Sequence, residues 1–304
     1  MHVWGEPHIV SQDAARSGAT AFLTTLGPES SPRLLSDVEV RARVGHVDGA
    51  ECLGIHLEGP FVNPARGGAL PRRGMRRPTV GELERLVRAA QGRLRLITIA
   101  PELPGAIEAI RWCRRRGIVA SLGHSIANAA VAERAADAGA RAVTHIFNGM
   151  PPLHHRRAGL LDVALTDGRL MTMVIADGVH VGASAFRLLV SAKGCERVAL
   201  VTDSIRRQGW PVKARAGAYY LKDGTLAGSA LTMIGAVRNA VALGGVSLVD
   251  AVRMASEVPA RLLGDRSRGV LAVGKRADLV AFDQQLRVVM TMVGGRIVYQ
   301  MGSA

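Results

Sequence analysis

The sequence predicts an α/β fold built from parallel β/α units closing on themselves, and three observations carry that expectation. Apolar strand-like runs recur with amphipathic stretches between them, the signature of parallel units rather than of hairpins. Polar residues sit at the carboxyl ends of several of those runs, where parallel barrels build their sites. The 304 residues, 48% of them hydrophobic, suffice to bury one large core with a small accessory element.

The predicted strands are "TAFLTT" from Thr20, "CLGIHLE" from Cys52, "LRLITIAPE" from Leu94, "GIVASLGH" from Gly117, "RAVTHIFN" from Arg141, "LMTMVIADG" from Leu170 and "RVALVTDS" from Arg197. "MHVWG" at the start supplies the last few residues of an eighth, closing strand. "VGELERLVRAAQG" and "AIEAIRWCRRRG" read as helices stopped by Gly92 and Gly117. Beyond Asp203 the rhythm changes: "GTLAGSALTMIGAVRNAVALGG" reads as a glycine-containing loop feeding a helix, and "SLVDAVRMASEVPARLLG" as one helix stopped by Gly264. The remainder is short strands and turns. The boundary falls at about residue 265, with a barrel over 1–265 and a small β-segment over 266–304.

Composition excludes several function classes. No apolar run approaches the ~18 residues of a membrane span, and the amino terminus lacks a basic start before an apolar core, so no membrane association is expected. Cys52, Cys113 and Cys195 are widely separated, which argues against a disulfide framework and a thiolate metal site and suits reduced thiols in a cytoplasm. The formal charge of +14 invites a nucleic-acid partner, but the arginines are scattered and only 5 Phe and 3 Tyr are present to stack bases. Solvated faces account for the charge, and no nucleic acid is expected.

In "GIHLEGPFVNP" the alternation of a strand puts His56 and Glu58 on one face, and Gly59-Pro60 ends the ladder. Glu58, His124 and His145 therefore end three runs, Asp177 and His180 follow a fourth, and Asp203 ends a fifth. One carboxylate and two imidazoles form a three-ligand site with a position open for water, suited to zinc or ferrous iron. Such a cation brings the pKa of water towards neutrality, and Asp203 can take the proton and pass it to a leaving group. Each residue also has a plainer role: a histidine at a strand end can serve as a hydrogen-bonded structural residue, and Asp203 can cap the next helix. His56 lies inward of Glu58 and reads as a supporting or core residue, His154 and His155 read as exposed, and the cysteines and methionines as packing.

The motifs "HLEGPF", "LGHS", "THIFNGMPP", "ADGVH", "VTDS" and "GTLAGSALTM", in this order from about Cys52 to Val298, resemble the N-acetylglucosamine-6-phosphate deacetylase family of the amidohydrolase superfamily. The resemblance implies a TIM-like (β/α)8 barrel of the amidohydrolase type, with strand 1 truncated here and a small, partial β-sandwich at the C-terminus. It implies metal-dependent removal of the acetyl group from N-acetylglucosamine 6-phosphate, with one divalent metal ion per subunit held by Glu58, His124 and His145, and Asp203 acting first as base and then as acid. Ala69, Leu70, Asn148, Gly149, Asp177, His180, Leu226, Ala227 and Gly228 match substrate-contacting positions. Arg156 matches an arginine lent to the neighbouring subunit's phosphate site, which implies a homodimer.

Three departures accompany the resemblance. Leu70 stands where the family carries a histidine beside the acetyl group, and leucine cannot donate a hydrogen bond to a developing oxyanion. Weakened turnover or an altered acyl substrate is the expected consequence. The chain begins inside the first barrel strand, so residues from about Gly269 onward are expected to lack partners and to expose sheet edges. His2 and Trp4 occupy the place of a His-x-His pair, so a complete second metal site is not expected. A related amidohydrolase acting on another N-acyl or cyclic amide, and a non-catalytic sugar-phosphate-binding protein, are the alternative readings; Leu70 and the altered "DSIRRQGW" loop suit the first.

Overall fold

The computed structural model describes residues 2–45, 48–206 and 212–302, without the side chains of residues 2–5 and 206. Strands and helices alternate as the patterning requires. The chain runs β1 (His2–Gly5), α1 (Pro7–Arg16), β2 (Ala21–Leu26), α2 (Ser31–Ala42), β3 (Glu51–Glu58), α3 (Val80–Ala89), β4 (Leu94–Ile99) and α4 (Ala106–Arg115). It continues through β5 (Val119–Leu122), α5 (Ala129–Ala138), β6 (Ala142–Val143), α6 (Leu160–Thr166), β7 (Met171–Ile175), α7 (Ala183–Lys193) and β8 (Val198–Val201). Short strands follow, β9 (Ser204–Arg206), β10 (Lys213–Arg215), β11 (Ala218–Tyr220) and β12 (Leu226–Ser229), then α8 (Met233–Gly244), α9 (Leu248–Ala255), α10 (Glu257–Leu262), β13 (Leu279–Phe282), β14 (Val288–Val293) and β15 (Arg296–Gln300).

The chain divides into two compact units, one of Thr25–Arg43 and Gly54–Val174, the other of Met1–Thr24, Val44–Leu53 and Ile175–Ala304. In the first, β3 to β7 pair in parallel in sequence order. Their side chains are buried on both faces, as strands covered by helices must be: Ile55, Leu57, Ile97, Ile99 and Leu122 are all inaccessible to solvent. Local chemistry starts the helices, with the Thr79 and Asn128 side chains accepting from the backbone N–H of Glu82 and Val131. Arg116 caps α4 and Gly117 follows it.

In the second unit β1 pairs in parallel with both β2 and β9. The strand begun by "MHVWG" is thus a full member of the parallel sheet. Strands β13, β14 and β15 form a separate antiparallel sheet in that order. Helix α1 packs on β14 and β15, and the Thr291 hydroxyl donates to the Ala15 carbonyl at 2.7 Å. Residues from about Gly269 onward therefore do not lack partners, since β13 to β15 pair with one another and α1 packs on β14 and β15; only the outer edges of β13 and β15 have no second neighbour among the described residues.

Three expectations are corrected. "SLVDAVRMASEVPARLLG" forms two helices rather than one: Pro259 has no N–H to give the Ala255 carbonyl, and its ring would strike that carbonyl in a continuous helix. "RAVTHIFN" pairs only at Ala142–Val143, because His145 takes a left-handed φ of 27° that no extended ladder accommodates. The loop within "GTLAGSALTM" contains a strand, β12, antiparallel to β11. The side chains of His2 and Trp4, and most of the "DSIRRQGW" loop, lie outside the described residues.

Candidate active site

Glu58, His124 and His145 each end a strand of the first unit, and their side chains meet. One ligand atom from each lies within 4.8 Å of the others. His124 Nε2 is 2.8 Å and His145 Nε2 2.9 Å from Glu58 Oε1, and the two imidazole nitrogens are 3.0 Å apart. All three residues are buried. Burial by itself would raise the Glu58 pKa; the two imidazoles outweigh it and hold the carboxyl well below the ordinary glutamate range, so the group is anionic.

The donor set fits a divalent cation. His124 Nδ1 lies 2.8 Å from the carbonyl of Arg66, and a carbonyl only accepts, so Nδ1 carries a proton and Nε2 is the nitrogen left to meet a cation. Two nitrogens 3.0 Å apart cannot both place a proton between them, so hydrogen bonding within the cluster cannot satisfy all its atoms. Glu58 Oε2 is buried and has no hydrogen-bond partner among the described residues. Two imidazole nitrogens converging on an anionic oxygen, with one histidine anchored through its outer nitrogen, are what zinc or ferrous iron needs.

Behind the ligands runs a chain of buried polar side chains. His56 Nε2 lies 2.9 Å from Thr98 Oγ1, Thr98 Oγ1 2.8 Å from Thr144 Oγ1, and Thr144 Oγ1 2.6 Å from Ser121 Oγ. Burial pushes the His56 imidazole down to about 4 even though the Glu58 charge opposes this, so the ring is neutral. His56 is therefore a supporting residue, as its place inward of Glu58 predicts. The Arg66 carbonyl and the two threonines are not signalled by the motifs; the one signal that could find the threonines is their place one residue before His145 and before Ile99, the last residue of β4.

The other candidates fall in both units. Ala69 and Leu70 are half-buried in the turn after Pro64–Arg66, with the Leu70 N–H donating to the Gly67 carbonyl at 3.0 Å. Asn148 and Gly149 stand three and four residues after His145, and the Gly149 carbonyl accepts from the Ser125 N–H at 2.9 Å. Arg156 is exposed in the loop where His154 and His155 stack with ring centroids 5.0 Å apart; His155 is exposed and His154 half-buried. In the second unit His180 Nδ1 donates to Asp177 Oδ2 at 2.6 Å, and Asp177 Oδ1 accepts from the backbone N–H groups of Val179 and His180. Burial alone would raise the Asp177 pKa; these donors outweigh it and keep the group ionised. Leu226 and Ala227 are half-buried and Gly228 is buried, closely packed on Asp203: a methyl on Gly228 would lie 3.1 Å from the Asp203 carbonyl.

Asp203 is buried and does not cap a helix; β9 follows it. Its φ is 46°, and among the described residues the few non-glycine positions with positive φ include His124 at 48° and His145 at 27°. Such backbone costs about 1–3 kcal/mol per residue and concentrates at functional sites. Three of the proposed chemical groups share this conformation at the ends of their strands.

The sequence model of the amidohydrolase family matches residues 9–298. The chain belongs to the amidohydrolase family. It is 37% identical to the N-acetylglucosamine-6-phosphate deacetylase of Bacillus subtilis (strain 168), over 96% of this chain and 78% of that protein. It is 40% identical to the N-acetylgalactosamine-6-phosphate deacetylase of Escherichia coli O157:H7, over 82% of this chain and 69% of that protein. Among solved structures, a point mutant of the Mycobacterium smegmatis N-acetyl-D-glucosamine-6-phosphate deacetylase in complex with N-acetyl-D-glucosamine-6-phosphate superposes with a TM-score of 0.87 at 38% identity, over 96% of this chain and 79% of that one. The Thermotoga maritima N-acetylglucosamine-6-phosphate deacetylase gives a TM-score of 0.88 at 30% identity, over 98% and 86%. The fold is thus the amidohydrolase barrel with a C-terminal antiparallel sheet, as the motifs imply. Family membership also makes the chain a metal-dependent hydrolase, and Glu58, His124 and His145 form a cluster that could hold the ion.

Proposed function

We propose that the protein hydrolyses the N-acetyl group of N-acetylglucosamine 6-phosphate, giving glucosamine 6-phosphate and acetate. The observation that carries this reading is the buried cluster of Glu58, His124 and His145, in a chain so similar to deacetylases of that substrate. One zinc or ferrous ion per subunit held there supplies the Lewis acidity that makes water nucleophilic near neutral pH. Asp203 takes the proton from the attacking water and then gives it to the amide nitrogen as the C–N bond breaks. Glu58 remains anionic throughout, and His124 keeps its proton on the outer nitrogen.

Asn148, Gly149, the Asp177–His180 pair, Ala69, Leu70 and the Leu226 to Gly228 strand bind the sugar in this reading. Arg156 pairs with phosphate oxygens, the bidentate contact to which a guanidinium is suited. Its exposure favours a phosphate on a neighbouring subunit, hence a homodimer. The three cysteines are free, which suits a cytoplasmic enzyme. Among the described residues no helix is long and apolar enough to cross a membrane.

A second substrate is favoured by the relative that removes acetate from the galactosamine epimer. Acetate release from N-acetylglucosamine 6-phosphate, N-acetylgalactosamine 6-phosphate and their unphosphorylated forms, measured on zinc- and iron-loaded protein beside Asp203→Ala, separates the possibilities. Release from the glucosamine ester that vanishes in the variant supports the leading reading. Faster release from the epimer moves the assignment to that sugar, and no release from either overturns deacetylation of these sugars.

A further inference from the structure

His124 is held from several directions at once. Its left-handed φ of 48° is one that an L-residue adopts only where the surroundings impose it. Its carbonyl accepts from the Asn63 N–H at 2.9 Å, and its Nδ1 donates to the Arg66 carbonyl at 2.8 Å. These restraints come from one side, the turn after β3. The residues after His124 restrain it from the other side.

A single carboxylate bears on both. Glu102, in the turn between β4 and α4, accepts at Oε1 from Asn63 Nδ2 at 2.9 Å and from the Ile126 N–H at 2.8 Å. At Oε2 it accepts from the Ser125 hydroxyl at 2.7 Å. Asn63 in turn accepts at Oδ1 from the Ala65 N–H at 2.9 Å, ordering the turn whose next residue presents the Arg66 carbonyl. The carboxylate thus joins the residues immediately after His124 to the residue that holds its carbonyl and shapes the turn behind its ring. Bonds from N–H and O–H groups to an ionised carboxylate are the stronger, shorter kind.

We propose that Glu102 is a positioning residue for the metal ligand His124, fixing the left-handed backbone and the Nδ1–H tautomer that turn Nε2 towards Glu58 and His145. The proposal rests on the reading of those three residues as a cation site. Without Glu102, Asn63 and the segment Ser125–Ile126 lose their common anchor, and the imidazole samples orientations in which its lone pair misses the other two ligands. Outer partners of this kind change metal affinity by about 10–100-fold.

The test is the affinity for zinc by chelator competition, and the visible spectrum of the cobalt-loaded protein, for wild type, Glu102→Ala, Glu102→Gln and Ser125→Ala. Glu102→Ala is expected to bind zinc about 10–100-fold more weakly, with a shifted cobalt spectrum. Glu102→Gln is expected to lose less, because an amide oxygen still accepts from Asn63 and Ile126. A residue that merely braces its turn would lower the melting temperature and leave the affinity and spectrum of the folded protein at wild-type values; that result overturns the proposal. Should Glu102→Ala fail to fold, Glu102→Gln and Ser125→Ala carry the comparison, and wild-type affinity and spectrum in both overturn it. Wild-type protein that binds neither metal overturns the cation reading itself, before any variant is compared.

Discussion

The imidazole of His124 donates through Nδ1 to the main-chain carbonyl of Arg66 at 2.8 Å, and this one bond fixes Nε2 as the nitrogen that faces Glu58. Two imidazole nitrogens 3.0 Å apart and a carboxylate oxygen then converge on one point, where at most one proton can lie between the two rings. A cation that binds this cluster in the folded chain and not in the unfolded one stabilises the fold. Chelation is expected to lower the melting temperature and added zinc to restore it, with about 2.7 kcal/mol gained at a hundredfold excess over Kd. Glu58→Gln should abolish the zinc-dependent shift, which thermal scans with and without metal will read.

Asp203→Asn keeps the volume of the buried side chain and removes the proton acceptor. Turnover is expected to fall by about 10²–10⁴-fold, the range for a positioned acid–base group, with bound metal unchanged. Metal analysis on the assayed sample makes the check, since parallel loss of metal would assign Asp203 to the metal shell instead.

Leu70 offers no donor to a developing oxyanion. A single such donor is worth about 10²–10³-fold in rate, which sets the ceiling for what a replacement can return. Leu70→His is expected to raise kcat on N-acetylglucosamine 6-phosphate with little change in KM, and steady-state kinetics showing no gain would remove position 70 from the chemistry.

The parts of this site visible in the sequence are those carried by side-chain identity at a strand end. Glu58, His124, His145 and Asp203 each close an apolar run, and a parallel sheet puts such ends to use. What escaped was carried by main-chain atoms or by distance along the chain. The Arg66 carbonyl has no residue signature, and Glu102 lies past its strand in a proline-containing turn, where its partners Asn63 and Ser125 are separated from it by 39 and 23 residues. The split between α9 and α10 was legible in principle, since Pro259 stands four residues beyond Ala255, but the apolar periodicity across it masked the break.

Acid stability offers a test away from the metal. Burial would raise the Glu82 pKa, but the guanidinium of Arg76 at 2.5 Å and the Ser31 hydroxyl at 2.7 Å outweigh it and hold the group below the ordinary 4.5. The folded pKa is depressed, so the unfolded chain binds the proton more readily. The stabilisation is complete above the unfolded value and is lost as pH falls through the folded one. Glu82→Gln should therefore weaken the protein at pH 7 and flatten its loss of stability between about pH 5 and pH 3, as urea melts across that window will record.

Gly149 lies against the ring of His124. Its φ is 64°, and a methyl added there would lie 3.0 Å from His124 Nδ1, 3.3 Å from Cε1 and 3.4 Å from the Arg66 carbonyl. That methyl enters the space beside the Nδ1–H to carbonyl bond, where neither the main-chain oxygen nor a ring already joined to Glu58 yields readily. The left-handed backbone adds about 1–2 kcal/mol for any L-residue. Gly149→Ala should lower stability by that amount and, by turning the ring, weaken zinc binding about tenfold or more, as loss of a histidine's outer partner does. Chelator competition separates the two effects: a stability loss with wild-type affinity would mean that the ring holds its place and only the backbone suffers.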